Sequence, residues 1–322
     1  MRAVHVVRLD GPQALEVVEA PEPAAGGSAV VVDVHAAGVA WPDLLLSRGQ
    51  YQLKPEPPFA PGSEVAGVVR SAPTGSGLEP GQRVAVLTGV GGWQDVVAAP
   101  VDHVLPLPDE VSFEVGAGFA FNYLTVHFGL RRRAQLAAGE TVLVHGASGG
   151  IGVATLQLAH AYGARTIAVV STQAKEAAAR EAGADEVVLA DGFLAQTKEL
   201  TGGRGVDVIL DPVGGDRFTN SLRSLAPEGR LLVVGFTGGE IPTVKANRLL
   251  LNNVSVVGVG WGAFLAVTPG YLQEQWTELR ELLSSGKVVP LPVQTRPIEQ
   301  AGDVLQEMDS RTLTGKVVLT VR

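Results

Sequence analysis

The 322-residue chain is long enough for two domains of ordinary size, and its 46% hydrophobic content excludes intrinsic disorder as its main state. It contains no cysteine, which excludes disulfides, thiolate nucleophiles, iron–sulfur clusters and cysteine-ligated zinc. Its formal net charge of −8 argues against a nucleic-acid partner, because phosphate binding requires a basic field.

Short β-branched runs dominate the first region of the chain. Residues 29–34, 64–69 and 83–87 are such runs, and clusters of Gly, Pro and Ser separate them. This spacing predicts a small barrel or sandwich with long loops, extending from the first residue to about residue 115.

From about residue 140 apolar strands alternate with helical segments. The pattern predicts helices over 151–162 and 173–181, and strands over 141–145, 165–170, 187–189, 206–210, 231–234 and 254–257. Short apolar strands separated by helices are typical of a parallel sheet covered on both faces. Six of them in succession match a doubly wound dinucleotide fold.

The last part of the chain returns to the β-rich pattern. A helix is predicted over residues 271–285, and strand-like pieces follow it up to residues 316–320. We therefore expect one domain to be interrupted by the other. The predicted division assigns residues 1–120 and 264–322 to a β-rich domain, and residues 121–263 to a Rossmann-like domain.

The hydropathy pattern predicts a cytoplasmic protein with no membrane partner. The beginning of the chain lacks the apolar block and small-residue cleavage site of a signal peptide. The longest weakly polar stretch, residues 254–267, is interrupted by Ser and Gly and is too short to span a bilayer.

The strongest motif is a glycine-rich loop between a predicted strand and a predicted helix. It comprises Gly146, Ala147, Ser148, Gly149, Gly150, Ile151 and Gly152. Glycines let the backbone approach a pyrophosphate without an intervening Cβ, and the free N–H groups and dipole of the helix attract the anion. The surrounding alternation of strands and helices favours a dinucleotide site over a tight turn in another kind of α/β protein.

The residues after the second Rossmann strand indicate which dinucleotide binds. NAD sites usually carry Asp or Glu there for the ribose 2′-OH, but no acid follows Val170. Ser171 could instead donate to a 2′-phosphate, and Lys175 could reach it as a cation. The alternative for Lys175 is an exposed helix lysine. The pattern therefore predicts NADPH.

Taken together, these residues resemble the quinone oxidoreductase branch of the medium-chain dehydrogenase/reductase superfamily. Residues 139–160, with Gly-Gly-x-Gly followed by Gln157 and His160, are similar to the signature of that branch. Further landmarks lie at residues 62–67, 91–93, 211–215, 235–237 and 315–319. The resemblance extends over nearly the whole chain and implies an α/β protein with a GroES-like β-rich domain and a doubly wound Rossmann domain.

The same resemblance accounts for the missing cysteines. Zinc alcohol dehydrogenases of the superfamily have Gly-Val-Cys-His-x-Asp where this chain has Gly-Val-Ala-Trp-Pro-Asp, so Ala40 replaces the first ligand. Ser63 replaces the second ligand, the cysteine-rich structural-zinc loop is absent, and the six histidines show no close ligand spacing. We therefore expect no metal site and no chemistry through a zinc alkoxide.

The resemblance places the substrate side in the first domain. Tyr51 matches a tyrosine that serves as proton donor in related enoyl-thioester reductases; the alternative is a cleft-lining aromatic without an acid role. Trp41 would offer a flat apolar wall to an extended acceptor, unless it is a core tryptophan. Ala40 and Gln50 complete this pocket, and Ala40 lacks the amide of an asparagine that quinone reductases often carry nearby.

Six further cofactor contacts are predicted outside the glycine loop and the second strand: Asn122, Thr125, Phe236, Thr237, Trp261 and Arg311. Asn122 and Thr125 match family contacts to the nicotinamide half, or are buried groups bonded to their own helix. Phe236, Thr237 and Trp261 follow the fifth and sixth strands, and open α/β sheets bind ligands at the carboxyl ends of strands; the alternative for these three is packing within the domain. Arg311 resembles an arginine that reaches the 2′-phosphate in some members of the family; an exposed, solvated side chain is an equal alternative.

These features predict an NADPH-dependent, metal-independent reductase that transfers hydride to a quinone or an activated alkene such as an enone. One alternative is an acryloyl-CoA or enoyl-thioester reductase, in which Arg48, Lys54 and Arg70 could bind CoA phosphates. Another is a non-catalytic NADPH-binding protein. The family usually forms homodimers through the last Rossmann strand, and residues 254–259 are apolar enough for such an edge.

Overall fold

In the computed structural model, which describes residues 1–24 and 26–322, most of the apolar runs form strands. In chain order the strands are β1 (Arg2–Val6), β2 (Leu15–Glu19), β3 (Ala29–Gly38), β4 (Glu64–Ser71), β5 (Arg83–Leu87), β6 (Val96–Pro100), β7 (Val104–Pro106), β8 (Thr141–His145), β9 (Arg165–Val170), β10 (Glu186–Leu189), β11 (Val206–Asp211), β12 (Leu225–Val233), β13 (Ser255–Gly258), β14 (Gln294–Pro297) and β15 (Val317–Thr320). The α-helices are α1 (Trp41–Ser47), α2 (Phe113–His127), α3 (Gly150–Ala161), α4 (Glu176–Glu181), α5 (Phe193–Leu200), α6 (Phe218–Ser224), α7 (Asn247–Asn252), α8 (Trp261–Leu265), α9 (Tyr271–Ser284) and α10 (Ala301–Asp309).

The chain divides into two units, of which the first consists of Met1–Phe121 and Pro290–Arg322. Its main sheet has the strand order β14-β15-β3-β4-β5-β7, and β6 also pairs with β3. The pairs are antiparallel except for β14 with β15. Valines of β3, β4 and β5 form the core with Leu305 of α10, which explains the β-branched runs of this region.

The second unit, Asn122–Val289, contains a parallel sheet with the strand order β10-β9-β8-β11-β12-β13. From β8 the chain proceeds outward to β9 and β10, then returns to β11 on the other side of β8. The strand order therefore reverses between β8 and β11, and open α/β sheets bind ligands at such a switch point. The predicted doubly wound sheet is confirmed.

The second boundary between the units differs from the predicted one. Residues 264–289, expected in the β-rich domain, lie in the Rossmann unit. The reason is α9, whose buried Gln275 donates a hydrogen bond from Nε2 to the backbone oxygen of Leu124, at 2.9 Å. Contacts between segments so far apart in the chain leave no local pattern in the sequence.

None of the helices in the two described ranges is both long enough and apolar enough to cross a membrane. The longest α-helix, α2, contains 15 residues, whereas a span needs about 20.

A π-helical turn, Phe128–Arg133, extends α2 and carries the one run of arginines. The guanidinium of Arg131 lies over the ring of Tyr162, and that of Arg132 lies over the ring of Phe264. Arg133 donates to a backbone oxygen of β13 at 2.9 Å. Each of these arginines therefore contacts its own chain.

Candidate cofactor site and substrate-side residues

The glycine loop joins β8 to α3 and leaves backbone donors unused. Gly146 has a φ of +61°, which glycine adopts without strain and which turns the chain sharply after β8. The first hydrogen bond of the helix runs from the N–H of Val153 to the oxygen of Gly149, at 2.9 Å. The three N–H groups that precede it, of residues 150–152, therefore remain available to an anion.

Two glycines of this loop stand where a side chain would not fit. A Cβ on Gly152 would lie 2.4 Å from the oxygen of Gly146 and 2.5 Å from the Cα of Ala147. A Cβ on Gly150 would lie 2.5 Å from Nδ2 of Asn122, which is 6% exposed. Asn122 therefore lies against the start of α3, where the resemblance predicted a cofactor contact.

The outer side of the loop is open. A Cβ on Gly149 would meet only the oxygen of Gly146, at 3.4 Å. Ala147 donates its N–H to the oxygen of Val169 on β9, at 3.2 Å, and Ser148 is largely buried in the turn. The hydrogen bond to β9 thus fixes the inner side of the loop. The outer side leaves room for a ligand to approach the backbone closely, as a bound pyrophosphate would need to do.

The end of β9 carries a cation with no ion-pair partner among the described residues. Ser171 follows the strand and is exposed. Lys175 ends the 3-10 turn Gln173–Lys175, and its ammonium has no carboxylate within ion-pair distance in the two described ranges. The donor set of this strand end therefore fits a ribose 2′-phosphate rather than an acid-bound 2′-OH.

The loops after β11 and β12 pack against each other at the carboxyl edge of the sheet. Thr237 donates its N–H to the oxygen of Pro212 at 3.0 Å. The ring of Phe236 lies against Gly214, 3.0 Å from the position of a Cβ there, and is 36% exposed. Both predicted contacts therefore lie at the edge that such folds use for ligands.

Two other predicted cofactor contacts are buried within the second unit. Trp261 is 6% exposed, and its indole Nε1 donates to Oε1 of Gln275 at 2.8 Å. The indole thus points into the unit, as the packing alternative has it, rather than lying open at the end of β13. Thr125, on α2, is also buried.

The sequence analysis did not identify two buried titratable groups, which lie at the ends of β8 and β11 next to the glycine loop. Asp211 ends β11, and its Oδ1 accepts the N–H groups of Val213 and Gly214 at 2.8 and 2.9 Å. His145 ends β8, and its Nε2 lies 2.8 Å from Oγ of Ser221. Burial lowers the pKa of His145 to about 4, with the Asp211 carboxylate opposing the shift, so the imidazole is neutral at pH 7.

In the first unit, Tyr51 lies in the loop after α1 and is partly buried. Burial raises the pKa of its phenol, and the nearby Asp43 carboxylate raises it further. Its hydroxyl has no hydrogen-bond partner within residues 1–24 and 26–322. Tyr51 therefore keeps its proton at neutral pH and has it free to donate.

The other substrate-side residues differ in exposure. Trp41 is partly buried and packs against the core of the first unit, so only part of its ring could form a wall. Ala40 is buried, whereas Gln50 is exposed and donates its backbone N–H to the oxygen of Leu45 at 2.9 Å. The three residues thus flank the two ends of α1.

Asp43 forms hydrogen bonds to both of the segments that correspond to the zinc-ligand segments of the zinc alcohol dehydrogenases. Its Oδ2 accepts the N–H of Ala40 at 2.8 Å and its Oδ1 accepts that of Gly62 at 3.0 Å. Burial raises the pKa of Asp43 to about 7, although these two donors and Lys316 oppose the shift. Ser63 is buried and donates from Oγ to the oxygen of Gly89 at 3.3 Å.

Glu64, the residue after Ser63, is paired with protein atoms. The buried Glu64 accepts from Nζ of Lys316 at 2.6 Å and from the N–H of Phe121 at 2.7 Å. Outside the one residue that is not described, no cluster of three or more His, Asp or Glu side chains could hold a metal ion.

Two of the cations suggested for a CoA phosphate are already neutralised. Arg48 forms a bidentate ion pair with Asp309, at 2.6 and 3.0 Å. Arg70 pairs with Asp33 and with Glu22, each at 2.6 Å. Of the three cations, only Lys54 has no carboxylate partner among the described residues.

Arg311 belongs to the first unit and lies in the turn after α10. It is exposed, and its φ of +60° places it in the left-handed region. Its predicted contact with a 2′-phosphate stays a prediction.

Two family models match the chain. Residues 26–109 match "Alcohol dehydrogenase GroES-like domain" and residues 150–285 match "Zinc-binding dehydrogenase". Among similar proteins, quinone oxidoreductase-like protein 2 of Rattus norvegicus is 35% identical over 325 aligned residues, covering 100% of this chain and 92% of the rat protein.

Solved structures extend the similarity to the fold of the entire chain. A probable oxidoreductase from Mycobacterium abscessus is 43% identical with a TM-score of 0.91, covering 99% of this chain and 98% of the other. Quinone oxidoreductase of Escherichia coli, solved in complex with NADPH, is 28% identical with a TM-score of 0.92, covering 99% and 100%. The chain therefore belongs to the zinc-free quinone oxidoreductase branch of the medium-chain dehydrogenase/reductase superfamily, and it is an oxidoreductase.

Proposed function

We propose that this protein is an NADPH-dependent reductase that transfers hydride to a quinone or an activated alkene such as an enone, without a metal. The observation that carries the proposal is the glycine loop. It presents unused N–H groups beside an open outer face, with the unpaired ammonium of Lys175 after the neighbouring strand. The NADPH complex of the similar Escherichia coli enzyme supports the choice of cofactor.

The roles of the residues follow from their donors and charges. The N–H groups at the start of α3 would bind the pyrophosphate, and Ser171 and Lys175 would bind the 2′-phosphate. When bound, NADPH supplies the hydride, and a quinone or enone accepts it without a Lewis acid because hydrogen bonds can hold the developing oxyanion. Tyr51 would deliver the following proton from its Oη, since its raised pKa keeps that oxygen protonated.

The decisive experiment is transfer of deuterium from NADPH labelled at C4 to a panel of quinones, enones and enoyl-CoA thioesters. We expect stereospecific transfer to at least one quinone or enone, and faster turnover with NADPH than with NADH. Quenching of tryptophan fluorescence by NADPH with no transfer to any acceptor would instead support a non-catalytic NADPH-binding protein. Preference for the CoA thioesters would support the enoyl-thioester alternative, which the ion pairs of Arg48 and Arg70 disfavour.

We also propose that the protein forms a homodimer through β13. In the described part of the chain this strand pairs only with β12, so its other edge lacks a strand partner. Leu250 and Leu251 of the preceding helix, α7, are 77% and 75% exposed. An unpaired edge beside exposed leucines is a surface that a second copy would cover.

A further inference from the structure

A chain of hydrogen bonds runs inward from Trp261, the first residue after the loop that follows β13. Its indole Nε1 donates to Oε1 of Gln275 at 2.8 Å. The Nε2 of Gln275 donates to the oxygen of Leu124 at 2.9 Å and lies 3.1 Å from Nδ1 of His127. Gln275 is 1% exposed and His127 is 3% exposed, so both side chains are shielded from bulk solvent.

These contacts determine where His127 carries its proton. The amide nitrogen of Gln275 can only donate, so the Nδ1 atom that faces it must accept and be unprotonated. The proton of the neutral ring is then on Nε2, which donates to Oε2 of Glu278 at 2.9 Å. Every buried member of the chain is satisfied only while His127 is neutral.

Protonation of His127 would break this arrangement. A second proton on Nδ1 would point at the amide N–H groups of Gln275. Turning the amide over would relieve that contact, but it would present N–H groups to the indole N–H of Trp261 and an oxygen to the oxygen of Leu124. Buried donors then face donors in either orientation of the amide, which is strongly unfavourable, so protonation of His127 weakens the hold of Gln275 on Trp261.

The charged and titratable groups around His127 come from three elements. Glu278, on α9, contacts it directly, and Arg131, on the π-helical turn, lies 4.0 Å from that same carboxylate. Tyr162 and Tyr271 lie in the same cluster, and burial raises the pKa of both phenols, so they stay neutral. Burial lowers the pKa of His127 below its usual 6.5, Glu278 opposes the shift, and Arg131 adds to it.

We propose that Gln275 is a positioning residue that anchors the loop after β13 through Trp261, and that His127 makes this anchor sensitive to pH. Acidification releases the indole and weakens NADPH binding at that loop. The inference about binding rests on the proposed function and on the prediction from the sequence that Trp261, at the end of this loop, contacts the cofactor. The inference about the anchor depends only on the hydrogen bonds.

The anchor is tested without cofactor by following the indole N–H resonance of Trp261 in protein with 15N-labelled tryptophan. Its loss in Trp261→Phe assigns it among the four tryptophans. We expect this resonance to move with a single midpoint below pH 6.5, the usual pKa of histidine. His127→Asn keeps an acceptor toward Gln275 but cannot titrate, so its resonance should stay at the neutral-pH position. Gln275→Met should give the released position at every pH.

Binding is tested by measuring the Kd of NADPH between about pH 7.5 and pH 5. We expect the Kd to rise several-fold more in the wild type than in His127→Asn, because a proton that binds His127 when the anchor is released opposes NADPH binding. Titration of the NADPH phosphate affects all variants equally and therefore cancels in this comparison. His160→Asn, which changes an exposed histidine at the end of α3, is the matched control and should follow the wild type.

A Trp261 resonance with the same pH dependence in the wild type and in His127→Asn would overturn the anchor. A moving resonance with identical Kd profiles in the two proteins would overturn its link to binding. If NADPH fails to bind at every pH while the resonance moves as expected, the proposed cofactor is wrong and the pH-sensitive anchor stands.

Discussion

Among single residues, Lys175 is the one on which we propose that a preference for NADPH over NADH depends. Its ammonium has no carboxylate partner among the described residues, so a bound 2′-phosphate would be its first strong counterion. We expect Lys175→Ala to raise the Kd of NADPH about tenfold and to leave that of NADH nearly unchanged, a loss of about 1.4 kcal/mol.

Fluorescence or calorimetric titration with both nucleotides measures this effect. The control is Lys198→Ala, which removes an exposed lysine from α5 without touching the end of β9. An unchanged NADPH-to-NADH ratio in Lys175→Ala would show that the 2′-phosphate is held elsewhere.

Tyr51 separates the two classes of acceptor that the site is proposed to reduce. An enone must gain a proton on carbon or oxygen after hydride transfer, whereas a reduced quinone is a stable anion that water can protonate. We expect Tyr51→Phe to lower kcat/KM for enones by about 100-fold and for quinones by less than about threefold. Steady-state kinetics on one acceptor of each class measures the difference, and equal losses on both would assign Tyr51 to binding rather than to proton delivery.

His145 makes the stability of the second unit depend on pH. Its pKa in the folded protein, about 4, is below its usual 6.5, so its contribution to stability is complete above pH 6.5 and is lost as the pH falls toward 4. His127 acts in the same direction, because burial lowers its pKa too.

Denaturant titrations at about pH 7.5 and pH 5 measure this loss in the wild type and in His145→Gln. The glutamine keeps a donor for Ser221 and does not titrate, so the variant should lose clearly less stability on acidification. His160→Gln, at an exposed position, should match the wild type. Equal losses in all three proteins would contradict the assignment to His145.

At the scale of elements, we propose that the loop between β8 and α3 must both pack tightly and bind the cofactor. A variant at Gly152 tests the packing, and a variant at Gly149 tests the binding. We expect Gly152→Ala to lower the free energy of unfolding by about 2 kcal/mol and to abolish NADPH binding, because its Cβ would overlap the backbone of the loop. Gly149 has a φ of −90° and room for a Cβ, so Gly149→Ala should fold normally and lose affinity only.

Thermal unfolding and NADPH titration of the two variants check this distinction. A Gly149→Ala protein that is as stable as the wild type but binds NADPH more weakly would show that the open face of the loop contacts the cofactor. Full affinity in that variant would place the pyrophosphate away from this face.

The inner strands of the parallel sheet, such as β8, β9 and β11, could be predicted because they are buried and are therefore almost continuous apolar runs. The predicted strand over 254–257 matches β13 to within a residue, and 165–170 matches β9. The glycine loop could also be predicted as a turn between a strand and a helix, since the signal lies in residues adjacent in the chain. Polar edge strands such as β14 lack that pattern, so the sequence predicted only strand-like pieces in that region and not the bounds of the strand.

What could not be predicted are contacts between distant segments. Gln275 meets Leu124 and His127 across about 150 residues, and this contact both moves the unit boundary and buries the indole of Trp261. His145 meets Ser221 across 76 residues. The spacing of residues along the chain does not indicate such pairs, because their members meet only when the helices and strands that carry them pack together.

At the scale of the whole molecule, the exposed edge of β13 and the leucines of α7 distinguish a monomer from a dimer. Leucines about three-quarters exposed would be unusual on a free surface beside an unpaired strand edge. We expect light scattering to give about twice the 33.4 kDa of one chain.

Changing Leu250 and Leu251 to Glu should give the mass of a monomer without loss of folding. In a dimer interface the new carboxylates would be buried without partners and would oppose association, whereas in the monomer they are exposed to water. Leu53→Glu, at an exposed leucine of the first unit, should leave the mass unchanged. A wild-type mass of one chain would refute the dimer, and a double variant that remains dimeric would place the interface on another surface.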